Sequence, residues 1–264
     1  MNTLQNFLQI VDRHTVLVTA LALFFTFVCR QIGFVFDMPT NLLGIAVVFP
    51  LVFSIVSAYR RREDALKYFA SLKAHAIALY FAHRDWPGAE ESLEDEGGKL
   101  LYELFTAVAA YFQADQQRQE QELNRVYQVF DAFSKSHEQM RQHGVTSGEV
   151  SRANQYFRAI MIEFERMKNI SRYRTPVALR AYSRLFLTIF PILFAPYFAN
   201  VAYPNFPFAG YMVAIFYSLI LVSLDNVQDH LENPFDGIGP DDLRLEIADK
   251  YLSLLATPSP IKDE

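Results

Sequence analysis

From Leu185 to Leu224 the chain passes through forty positions without one Asp, Glu, Lys or Arg. At about 1.5 Å rise per residue such a run holds two helices, each long enough for a hydrocarbon core about 30 Å thick. Pro204 and Pro207 divide it. The pattern therefore predicts one span over about 183–202 and another over about 208–225. A second apolar pair lies near the other end. It covers about 14–36 and, within the uncharged stretch Met38 to Tyr59, about 40–59. The expected fold class is an all-α membrane protein with four transmembrane helices and a helical region between the pairs.

That middle region carries a different period. Leu100, Leu101, Leu104, Phe105, Val108, Tyr111 and Phe112 recur at helical spacing, as do Val150, Tyr156, Phe157, Ile160, Met161, Phe164 and Met167. The polar stretch Gln113 to Asn124 reads as the solvated part of one long helix, and Gly97-Gly98 and His143-Gly144 as breaks. The acidic run Glu90 to Glu96 reads as a solvated loop, with a cation-attracting vestibule as its alternative. Four segments follow: 1–59 with spans one and two, 60–182 as a helical body, 183–225 with spans three and four, and 226–264 beyond them.

Basic residues give the orientation. Arg60, Arg61, Arg62, Lys67 and Lys73 follow span two, and Arg166, Lys168, Arg172, Arg174, Arg180 and Arg184 precede span three, whereas the short outer connections carry only Arg30. The excess of Lys and Arg belongs inside, which places 60–182 and both termini in the cytoplasm of a plasma (inner) membrane protein. The first apolar run ends in Phe27-Val28-Cys29-Arg30 without a small-residue cleavage site, so it is expected to be a retained span.

Composition excludes more than it assigns. A net charge of -5, with the basic residues at membrane borders, argues against nucleic acid. Cys29 is the one cysteine, so no intrachain disulfide can form. His75 and His83 lie two turns apart, outside the spacing a metal site favours, and are read as structural. No phosphate loop, zinc motif or nucleophile elbow is present, so an enzyme is not expected, and no cofactor or metal is assigned.

Span two holds the candidate site. Ile45, Phe49 and Phe53 are spaced i, i+4, i+8, a stripe about 12 Å long on one helix face. Such a stripe packs against lipid or a neighbouring helix. Repeated around an axis, it forms stacked apolar rings that close a pore by dewetting. Pro50 within it removes one backbone hydrogen bond.

The segment Leu42-Leu43-Gly44-Ile45-Ala46-Val47-Val48-Phe49-Pro50-Leu51-Val52-Phe53, followed by Ser57-Ala58-Tyr59-Arg60-Arg61, resembles the second membrane helix of bestrophin-family ion channels. Where that family carries an aromatic pair, this chain has Arg62-Glu63. Arg174-Thr175-Pro176-Val177-Ala178-Leu179-Arg180-Ala181-Tyr182-Ser183 resembles the family's lead into span three. Asp225 to Asp236, containing Asn233-Pro234-Phe235, resembles the family's acidic Asn-Pro-Phe signature, and Asp241-Asp242-Leu243 continues it.

The resemblance implies a homopentamer around a central pore. Ile45, Phe49 and Phe53 would form its hydrophobic neck and Val177 a cytoplasmic aperture. Conduction would be passive, of chloride or other small monovalent anions, with ions and membrane lipid as partners. In animal members an acidic cluster near the third match helps to form a calcium clasp. This chain offers Asp225, Asp229, Glu232, Asp236, Asp241 and Asp242, interrupted by Gly237-Ile238-Gly239-Pro240. The alternative for Asp241 or Asp242 is capping of a helix over Leu243 to Leu255. Three rival functions stay open: a cation channel of the same fold, a non-conducting membrane-anchored scaffold, and an integral membrane enzyme.

Overall fold

The computed structural model describes residues 11–37, 40–86, 91–173, 177–201, 206–237, 239 and 241–256. Glu90, Arg174 to Pro176 and Pro204, all used above, lie outside them. Every regular element among the described residues is a helix: α1 (Arg13–Ile32), α2 (Thr40–Asp85), α3 (Glu91–Gln113), α4 (Gln119–Gln142), α5 (Ser147–Arg172), α6 (Val177–Leu193), α7 (Ala195–Asn200), α8 (Ala209–Glu232) and α9 (Ala248–Ala256). They form two compact units. One comprises Met1–Arg62 and Arg174–Asn233, the other Glu63–Tyr173 and Pro234–Glu264, so the division falls inside α2.

In the first unit α1 and α8 are long and apolar enough to cross a membrane, and Arg184–Asn200 is a shorter apolar run. Asp12 starts α1 by accepting from the Thr15 N–H at 2.7 Å and the Thr15 hydroxyl at 2.8 Å. Gly33 ends it at φ 70°, while the Phe34 N–H donates to the Cys29 carbonyl at 2.9 Å. The buried side of α1 is Thr15, Val18, Ala22, Thr26 and Cys29, and α1 packs on α8 and α7. Small residues suit that interface because apolar burial gives helices little reason to associate in lipid, whereas close backbone approach does. Gly210 of α8 shows the same logic. A Cβ there would run into the Phe198 carbonyl, with the Val201 carbonyl at 2.9 Å.

The third apolar segment is not one helix. It breaks at Phe194 into α6 and α7, because Pro191 and Pro196 each lack the N–H that a continuous ladder needs. An aromatic ladder bridges the break. Phe186, Phe190, Phe194 and Phe198 follow one another with ring centroids 5.4, 5.8 and 6.1 Å apart.

The second unit buries a large aromatic core. Phe164 of α5 meets Tyr111, Phe112 and Phe130 edge-on at 5.4, 6.0 and 5.7 Å. Phe235, from the Asn-Pro-Phe signature, stacks on Phe112 at 4.4 Å. Three expectations need correction here. Gln113 to Asn124 is not continuous helix: α3 ends at Gln113 and α4 starts at Gln119, because Asp115 captures the Arg118 N–H at 2.9 Å and turns the chain. Gly97-Gly98 is not a break but lies inside α3, where a Cβ on Gly97 would sit 2.7 Å from His83 Cβ, so this glycine permits close helix packing. The acidic run from Glu91 onward is helical rather than loop. His143-Gly144 does end α4, with Gly144 at φ 84°.

His83 is fully buried in this unit. Its Nδ1 lies 2.8 Å from the Leu79 carbonyl and its Nε2 2.9 Å from the Ser136 hydroxyl. Burial holds its imidazole down at about 4. The neutral ring therefore donates from Nδ1 and offers Nε2 as an acceptor to the Ser136 hydroxyl, for whose proton the Phe133 carbonyl at 2.8 Å competes.

Candidate functional site

The stripe on α2 stands clear of the rest of its unit. Ile45, Phe49 and Phe53 are 67%, 62% and 60% exposed. The Phe49 and Phe53 rings meet edge-on at 4.7 Å. Leu51, Ser54 and Ala58 are buried, and Leu51 packs into the cluster of Leu187, Phe190, Phe194 and Leu221. At 100° per residue the buried and exposed sets lie about 180° apart around the helix. The first unit therefore holds α2 by its back and leaves the phenylalanines outward. α2 runs unbroken through Pro50. The stripe has no titratable atom, so it can do no acid–base work, and what it offers is apolar surface.

The other sequence-derived residues do not converge on it. Val177 begins α6, and its side chain lies outside the described residues. Asp225 and Glu232 are buried on α8, and Asp229 faces Arg184 at 3.9 Å. Asp236, Asp241 and Asp242 belong to the second unit. Asp242 does not cap a helix at Leu243, since α9 begins only at Ala248. Instead its carboxylate accepts the Gly239 N–H at 3.2 Å, and burial pushes it up to about 6 with Asp236 beside it. Among the described residues no group of three His, Cys, Asp or Glu is placed to hold a metal ion.

Two polar ties were not foreseen from the sequence. The Arg30 guanidinium donates to the Pro207 carbonyl at 2.7 Å and lies over the Tyr211 ring, joining the two outer connections. Its being the only basic residue there was the available signal. The Asn226 amide donates to the Thr15 hydroxyl at 3.1 Å, locking α8 to α1. A lone Asn at the end of an apolar run hinted at that bond.

No family model and no curated protein matches the chain. Solved structures do. A single-site variant of a bacterial bestrophin homologue from Klebsiella pneumoniae superposes with a TM-score of 0.76, covering 91% of this chain and 96% of that one at 16% identity. A second variant of that homologue gives 0.77, 91%, 94% and 16%. A variant described as a membrane protein gives 0.75, 92%, 97% and 15%. The fold is that of the bestrophins. Coverage above nine-tenths means that the bestrophin likeness takes in both compact units, including the helical body where sequence resemblance was confined to length and helicity.

Proposed function

We propose that the chain is one subunit of a bestrophin-type ion channel. Five copies surround an axis, with four spans each and with both termini and residues 60–182 in the cytoplasm. Ile45, Phe49 and Phe53 form the neck and Val177 the cytoplasmic aperture, and small monovalent anions pass without coupled chemistry. One observation carries this reading. The apolar stripe lies on the side of α2 opposite its buried face, within a chain of bestrophin fold. A subunit whose body sits behind α2 presents those side chains to whatever lies in front, and cyclic repetition turns that front into a lumen. Rings of Ile and Phe then hold the neck dry until they part.

Replacing Ile45, Phe49 and Phe53 together by Ala removes the constriction. Purified protein in planar bilayers should show single-channel conductance raised by about tenfold, or openings that no longer close. If neither wild type nor variant passes current, the scaffold reading takes over.

The neck itself carries no charge, and the acidity of the chain supports the cation-conducting alternative. Reversal potentials under asymmetric salt separate the two.

A further inference from the structure

Seven residues beyond Phe53, two helical turns on and about 20° around, stands Arg60. It continues the direction of Phe49 and Phe53 toward the end of the span that the basic residues mark as cytoplasmic. Arg60 is exposed, whereas Arg61 and Arg62 beside it are partly buried. Among the described residues no acid, carbonyl or ring pairs with its guanidinium. The three arginines of the membrane border are therefore not equivalent: two are partly buried and one shares the stripe's free face.

We propose that Arg60 is the charge that selects the permeant ion. This rests on the channel reading. In a ring of five, the face that carries Phe49 and Phe53 to the axis carries Arg60 with it, so five guanidiniums encircle the path just inside the neck. The neck carries no net charge, so the nearest charges weigh most on which ion is concentrated at its mouth. Five like charges within a Debye length reinforce one another there. Anions accumulate and cations are turned back. A guanidinium bound to lipid phosphate would occupy the same border and exert no such control over permeation.

The test is the anion-to-cation permeability ratio from reversal potentials of the full chain in bilayers under asymmetric KCl. Wild type should favour chloride. Arg60→Gln should lower the ratio, Arg60→Glu should lower it by about tenfold or more, and Arg60→Lys should keep it. If Arg60→Glu assembles poorly, Arg60→Cys in a Cys29→Ser background gives the same answer after assembly. A sulfonate-bearing thiosulfonate reagent should move the ratio down and a trimethylammonium-bearing one up. Conducting protein whose reversal potential ignores all these changes overturns the role of Arg60 and leaves the channel standing. Protein that never conducts overturns the channel and this role with it.

Discussion

The two units differ in where many of their large apolar side chains lie, although the first also has a buried aromatic cluster at Phe190, Phe194 and Phe198. In Glu63–Tyr173 with Pro234–Glu264, the residues Phe105, Tyr111, Phe133 and Phe164 are among the largest fully buried side chains, and they pack ring against ring. In Met1–Arg62 with Arg174–Asn233, the outside carries Phe24, Phe49, Phe53, Phe216 and Ile220, while Ala22, Ala58, Ala214 and Ser218 are fully inside. The first pattern is what water produces: removing aromatic surface from it drives the fold. The second follows where the surroundings are as apolar as the core. Helices there are held by close approach and by a few polar ties such as Thr15 with Asn226. On the channel reading, one chain therefore records two solvents.

The sharpest way to break this contrast is to delete an aromatic ring from each unit. Phe164 has no exposed surface and Phe216 is 57% exposed. Phe164→Ala should cost about 3–5 kcal/mol through lost burial and an unfilled cavity. Phe216→Ala should change stability by no more than about 0.5 kcal/mol, since its ring exchanges one apolar contact for another. Thermal unfolding in lipid nanodiscs measures both. Equal losses would mean that Phe216 is covered by protein.

A second change probes close approach directly. Gly210→Ala places a methyl group against the Phe198 carbonyl. Backbone on both sides cannot move aside as a side chain would, so α7 and α8 must separate. The expected loss is about 3 kcal/mol, at the upper end of overpacking costs, read as a lower unfolding temperature in the same nanodiscs. An unchanged melting temperature would remove close backbone approach from the account of the first unit.

Much of this was legible in the chain because lipid leaves a coarse signature. Forty positions without charge need no alignment to be read, and the Ile45, Phe49, Phe53 spacing already put the three on one face. What spacing could not say is which way that face turns. The answer depends on Leu51 packing against residues more than a hundred positions later, with Ser54 and Ala58 buried on the same side. Of the failures, one shares this cause and two are local. Gly97 reads as a helix breaker until His83 is seen against it. Gln113 to Asn124 has helical composition throughout, and only the local competition of Asp115 for the backbone ends the helix. Asp242 precedes an apolar run as a cap would, yet it serves the Gly239 turn instead.

A smaller effect than either core change is a pH dependence that belongs to His83 in the second unit. His83 is held near 4 by burial, against 6.5 for a free imidazole, and His137 beside it is also lowered by burial, although its Nδ1 lies 2.8 Å from Asn154 Oδ1. Above about 7 neither the folded nor the unfolded chain protonates His83, so its contribution is flat. Below 6.5 the unfolded chain gains a proton that the folded chain refuses until about 4, so stability falls as pH falls through that window. The slope is about 1.4 kcal/mol per pH unit, so acidification from pH 7 to 5.5 should cost about 1 to 1.5 kcal/mol. His83→Gln keeps an acceptor for Ser136 and removes the titration. Its melting temperature should start lower at pH 7 and then decline less steeply than that of wild type. Parallel declines would assign the acid sensitivity to other groups, with Asp242 excluded on sign: its carboxyl is raised to about 6, so acid stabilises rather than weakens the fold there.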